Sequence, residues 1–198
     1  MALSAEQGFA LALSQAAILR GWALAKQGQG EEGIAQTRQS MDAWRATGAE
    51  LQRPHYLALL AEAYGKGEQV EEGVHELVEA LAIVDKTGAR QYEAELYRLK
   101  GELTLQKFQV SSSTQPPTPS PQAEAEAEAC FHKAIEIARK QSAKLLELRA
   151  VMSLSRLWQQ QGKKAEARQM LVEIYNWFTE GFDTKDLQEA KALLQDLV

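Results

Sequence analysis

The side chains best suited to catalysis or metal binding are three histidines, one cysteine and several paired carboxylates. His55, His75 and His132 are far apart in sequence, and no two stand at i, i+4, so a helical zinc pair is not available. Cys130 and His132 are two residues apart, which points them to different faces of a helix. Cys130 is therefore expected to be a small packing residue rather than a nucleophile. As the one cysteine it excludes an intrachain disulfide and any multi-cysteine zinc or iron–sulfur site, and it fits a reducing compartment. Glu31-Glu32, Glu71-Glu72 and the alternating Glu124, Glu126 and Glu128 fall where helices should start, where negative charge complements the helix dipole. No Gly-x-x-x-x-Gly-Lys-Ser/Thr phosphate loop occurs. The expectation is no catalytic constellation, no metal and no cofactor: a non-enzymatic chain.

The elements that must position any site are helical. Of five prolines, Pro116, Pro117, Pro119 and Pro121 cluster and Pro54 stands alone, leaving long stretches without a breaker. Those stretches are rich in Ala, Leu, Glu, Gln, Lys and Arg, the strong helix formers. Apolar residues recur at helical spacing, as in Leu57, Leu60, Ala61 and Tyr64, or Val74, Leu77, Val78 and Leu81. The fold class is all-α. With 198 residues, 45% of them hydrophobic, the chain can bury a real core. Its net charge of −5 makes it a poor match for nucleic acid or an anionic membrane. The longest apolar stretch, from Phe9 to Ala25, is interrupted by Ser14, Gln15 and Arg20 and does not span a bilayer. Nothing at the start reads as a signal peptide, so the expected location is cytoplasmic.

Internal repetition organises the helices. Thr47-Gly48-Ala49 returns as Thr87-Gly88-Ala89, and Glu31-Glu32-Gly33 as Glu71-Glu72-Gly73, both forty residues later. Small residues mark the first helix of four copies at Gly21, Ala61, Gly101 and Ser155. The wider last interval places an insertion between the two helices of the third copy. There the Ser/Thr/Pro-rich run has little to bury, so residues 109–122 are expected to be a disordered insertion. Pro116 to Pro119 also gives a PxxP pattern that an SH3-like partner could read.

The large–small–large spacing of Leu19, Gly21, Leu24, Gly28 and Gly33 resembles the tetratricopeptide (TPR) motif. So do Leu59, Ala61, Tyr64, Gly73, Leu77 and Ala80, and Leu154, Ser155, Trp158, Gly162, Ala167 and Leu171. The period of 40 is longer than the usual ~34. Ser40, Ile174 and Thr104 depart from the motif's preferred residues. The strings from Gly21 to Ala25, Glu93 to Leu103, Ser155 to Trp158 and Trp177 to Leu187 resemble the C-terminal TPR-like region of bacterial adenylate/guanylate cyclase–AAA/STAND ATPase signalling proteins. The resemblance implies a TPR-like superhelix of about four antiparallel helix pairs, over residues 5–48, 49–88, 89–142 and 143–182, forming one repeat domain of 1–198. A capping helix at 184–197 would close it, with Asp183 or Thr184 as N-cap. The resemblance also implies a sensor or adaptor segment without the parent's catalytic domains.

In such a stack the first helices line the concave surface. Counting from each small residue places Gln15, Trp22 and Lys26 there, then His55, Glu62 and Lys66, then Glu95, Arg98 and Glu102, and finally Arg149, Arg156 and Gln159. This face is either a solvated polar surface or a groove for a peptide or helix, with Trp22 and the arginines as anchors. Trp22, Glu62, Glu102 and Arg156 occupy the positions of a carboxylate clamp, but without its asparagine. The other tryptophans, Trp44, Trp158 and Trp177, are expected to pack in the core or between repeats. The function expected is a protein–protein interaction module with a protein or peptide partner, no nucleic acid and no membrane. The alternative is a small-ligand sensor of an ATPase-linked regulator. The first helix is apolar on all sides around Phe9, Leu11, Leu13, Ile18 and Leu19, so its outer face is expected to be covered by an upstream repeat or by a second copy of the chain.

Overall fold

The computed structural model describes residues 9–110 and 120–198. All regular structure among them is helical, in nine α-helices: α1 (Ala10–Lys26), α2 (Gly30–Arg45), α3 (Arg53–Lys66), α4 (Val70–Thr87), α5 (Glu93–Val110), α6 (Pro121–Lys140), α7 (Lys144–Gln160), α8 (Lys164–Tyr175) and α9 (Lys185–Asp196), with a 3₁₀ turn at Arg90–Tyr92. No described helix is long and apolar enough to cross a membrane. The chain forms two compact units, the first ending at Tyr92 and the second beginning at Glu93.

In the first unit α1 packs against α2 and α3 against α4, with α3 also touching α1 and α2. The α1–α2 crossing depends on two glycines. A Cβ on Gly21 would stand 2.8 Å from the Gly33 carbonyl oxygen, and one on Gly33 would stand 2.5 Å from the Ala25 nitrogen. Such an approach leaves no room for any side chain and brings backbone against backbone. Thr37 seals the crossing: it is fully buried, and its hydroxyl donates to the Gly33 carbonyl at 2.8 Å. Ile18, Ile34, Met41 and Trp44 of this pair are buried, as are Tyr56, Leu57, Leu60 and Tyr64 of α3 and Leu77 and Val84 of α4. Trp44 meets Tyr56 edge-on, with centroids 5.1 Å apart. Pro54 sits in the first turn of α3, where its missing N–H leaves no helical bond unmade. α4 ends on Gly88 at φ +73°, a left-handed cap that glycine adopts without strain.

In the second unit α5 packs on α6, α6 on α7, and α7 on α8. Gly101 faces the Phe131 ring, where a Cβ would stand 2.5 Å from Cε1. At the α7–α8 crossing Ser155 is fully buried, and its hydroxyl donates to the Ala167 carbonyl at 3.3 Å. α5 continues to Val110. α6 opens at Pro121 behind the N-cap Ser120, whose hydroxyl accepts from the Ala123 N–H at 3.2 Å. The rest of the insertion expected at 109–122, with its PxxP pattern, lies outside the described residues. α9 lies against α7 and α8, burying Leu187, Ala190, Leu193 and Leu197 in the same core as Leu148, Val151, Leu154 and Leu171. Thr184 is its N-cap, but the hydroxyl turns back and donates to the Gly181 carbonyl instead of accepting from the helix.

The tryptophans divide differently from expectation. Trp44 is a core residue, 1% exposed. Trp158 is half-buried and donates to Glu128 at 2.8 Å. Trp177, expected to pack inside, is 58% exposed: it follows the end of α8, where its ring meets Phe178 edge-on and lies under the Lys144 ammonium.

Candidate functional site

The residues assigned to the first-helix faces gather within each unit, and they are already engaged with one another. In the first unit the Trp22 indole N–H donates to Glu62 Oε2 at 2.7 Å, and Lys26 Nζ donates to Glu62 Oε1 at 2.7 Å while standing 5.7 Å from the Trp22 ring centre. One carboxylate of α3 thus holds both a tryptophan and a lysine of α1. Gln15 donates to Gln52 Oε1 at 2.9 Å, and the Tyr56 hydroxyl donates to the same oxygen at 2.6 Å. Burial pushes the Tyr56 phenol above its ordinary range, so it stays a donor at any physiological pH. His55 stacks on Tyr92 with ring centres 4.0 Å apart and planes 15° from parallel. Lys66 lies exposed at the end of α3.

The second unit assembles an ion network. Arg98 donates to both Glu95 oxygens, at 2.8 and 2.7 Å, and to Glu102 at 2.5 Å; Ser153 of α7 adds a bond to the same Glu102 oxygen at 2.8 Å. Arg149 grips Asp186 of α9 through two parallel bonds of 2.9 and 2.8 Å, with Glu95 3.9 Å behind it. The hydrogen bond to Asp186 outweighs desolvation and raises the Arg149 pKa, so its charge is permanent. Arg156 meets Glu189 at 3.3 Å, and Gln159 donates to the Asp196 carbonyl at 3.4 Å. Of the guanidinium groups expected to wait for a partner, those of Arg149 and Arg156 therefore meet α9, and that of Arg98 is held by Glu95 and Glu102. Asp186 and Glu189 were missed in the sequence. The signal was present in two acids flanking the apolar positions 187, 190, 193 and 197 of one helix.

A second surface emerges on the outward side of α1. Its buried side is Ser14, Ile18, Gly21 and Ala25. On the other side Phe9, Ala12, Ala16, Leu19 and Ala23 follow one another at intervals of three, four, three and four residues. Phe9, the N-cap, is 58% and Leu19 47% exposed; Leu11, 44% exposed, stands seven residues before Ile18, on the line of the buried side at the open end of the helix. The three–four alternation of the outward side is the spacing that seats one helix against another, and it covers the same stretch whose apolarity pointed to burial.

Cys130 is buried, and burial pushes its thiol up, which disfavours the nucleophilic thiolate. No group of three or more metal-binding side chains occurs among the described residues. Glu147 is the most buried carboxylate in an ion pair, held by Lys144 and Arg139 at 2.7 Å each at the start of α7, a structural clasp. No family model matches the chain, and no curated protein matches it.

Proposed function

We propose that this chain is a TPR-like, non-catalytic protein–protein interaction module, the C-terminal regulatory segment of a larger bacterial signalling or transcription regulator. The observation that carries the interaction reading is the outward face of α1. The N-cap Phe9 and Leu19, with Ala12 and Ala16 between them on one side of the helix, turn an apolar stripe to water of the kind that marks a binding site. The 3–4 spacing of the stripe favours a helical partner, and the exposed Arg20 at its edge favours one carrying an acidic residue there. Close approaches at Gly21–Gly33, Gly101–Phe131 and Ser155–Ala167 support the TPR-like reading, since that motif crosses its helices at small residues.

The test is site-specific photo-crosslinking in the native host, from position 19 on the apolar stripe and from position 188 on the polar outer side of α9. The proposal expects a discrete protein adduct from position 19, its loss with Ala12→Glu on the same stripe, and none from position 188. Equal yields from both positions, or none from position 19, would contradict it.

A further inference from the structure

α9 stands in the position of one more first helix. It begins at Lys185, against Lys144 for α7, and it is joined to α7 by the kind of side-chain link that joins α3 to α1. Arg149 reaches Asp186 across 37 residues, as Gln15 reaches Gln52 across 37, and Arg156 reaches Glu189 across 33. The α7 edge is thus a surface built to receive a helix, and it states what that helix must be. Arg149 and Arg156 require acids three residues apart, and the core beneath requires apolar side chains on the adjoining face, as Leu187, Ala190, Leu193 and Leu197 provide. α9 itself is a short helix of twelve residues, and one this short has little stability of its own. It is tied at one end through residues 176–184, which carry the exposed Trp177 and Phe182 and Gly181 at φ +76°. Its outer ion pair, Arg156–Glu189, is 45% and 43% exposed and contributes little to holding it down.

We infer that the α7 edge is a docking surface for an acidic amphipathic helix of a partner protein, and that α9 occupies it in cis as a displaceable cover. This extends the interaction reading to a second surface and stands or falls separately from the α1 face.

The probe is a fluorescein-labelled peptide of residues 183–198, titrated by fluorescence polarisation against the full chain and against the full chain carrying Leu187→Asp and Leu193→Asp, which release its own α9. The released variant should bind the peptide at least tenfold more tightly than the wild type, because cis occupancy lowers apparent affinity by the fraction of open surface. A peptide carrying Asp186→Lys and Glu189→Lys should lose at least tenfold in affinity. A helical released variant that ignores the peptide, or that binds the charge-reversed peptide equally well, overturns the docking surface. Equal affinity of wild type and released variant overturns the cover. Should the released variant fail to fold, hydrogen exchange on the wild type decides. α9 amides exchanging at least tenfold faster than those of α7 and α8 support a displaceable cover, and exchange at the same rate refutes it.

Discussion

α1 and α9 are both helices with one buried side and one open side, and their open sides are opposites. α1 turns Phe9, Ala12 and Leu19 outward, whereas α9 turns out Gln188, Lys191 and Gln195. Their buried sides differ as well. α1 is held by backbone-close packing at Gly21 and Gly33, α9 by three leucines and an arginine fork. Apolarity of a segment is therefore not the same as its burial. In α9 every large apolar residue but the half-buried Leu194 has gone inside, and the rest of the helix is suited to water; in α1 Ile18 is the one large residue among the small Ser14, Gly21 and Ala25 of the inner face, and Leu19 remains outside.

The comparison breaks most severely at the α1–α2 crossing. Gly33→Leu drives a side chain into the Ala25 and Gly21 backbone, which cannot yield as a flexible side chain could, and should destabilise the first unit by about 3 kcal/mol or more. Gly101→Leu, which meets the Phe131 ring instead, should lose about 1–3 kcal/mol, and urea denaturation of the two variants checks the order. The contrast is sharpest with one substitution in each helix. Leu193→Ala in α9 should lose about 2–4 kcal/mol, since the side chain is 6% exposed, whereas Leu19→Ala in α1 should stay within about 0.5 kcal/mol. Equal losses would mean that α1 is covered in solution.

Acid separates the two ends by a smaller amount. Burial opposes ionisation of Glu147, but hydrogen bonds from Lys144 and Arg139 outweigh it and hold the carboxyl below its ordinary value of 4.5. A folded-state pKa lowered in this way stabilises at pH above 4.5, and the contribution is lost as pH falls through the lowered value. Glu147→Gln should therefore cost about 1–2 kcal/mol near neutrality, and the difference from wild type should vanish in strong acid. The uncharged Gly21–Gly33 crossing has no such dependence. Smallest of all, Glu68 holds φ +61° at the turn after α3, and Glu68→Gly should relieve that strain and raise stability by about 0.5–1 kcal/mol in the same urea experiment.

Much of the helical layout was legible because it follows from local chemistry. Breaker-free stretches of strong helix formers became α1–α9, and the small residues Gly21, Gly101 and Ser155 lie where helices cross closely. Long-range pairing was not legible. Arg149 and Arg156 look in sequence like free anchors, because nothing local says that Asp186 and Glu189, more than thirty residues away, will fold back onto them. Trp177 misled for the related reason that an aromatic side chain suits both a core and a binding surface, and only the end of α8 decides between them. In α1 the apolar composition pointed to a cover supplied from outside this chain, by an upstream repeat or a second copy. Within the folded chain Phe9 and Leu19 stay open to water.

The most direct test of the central claim, that the open face of α1 is a docking face, is hydroxyl-radical footprinting of Phe9 and Leu19 in dilute purified protein and in intact cells. Strong labelling of both in the purified chain and protection in the cell are predicted, with Tyr92 as a reference residue unchanged between the two. Equal labelling in both settings would contradict it.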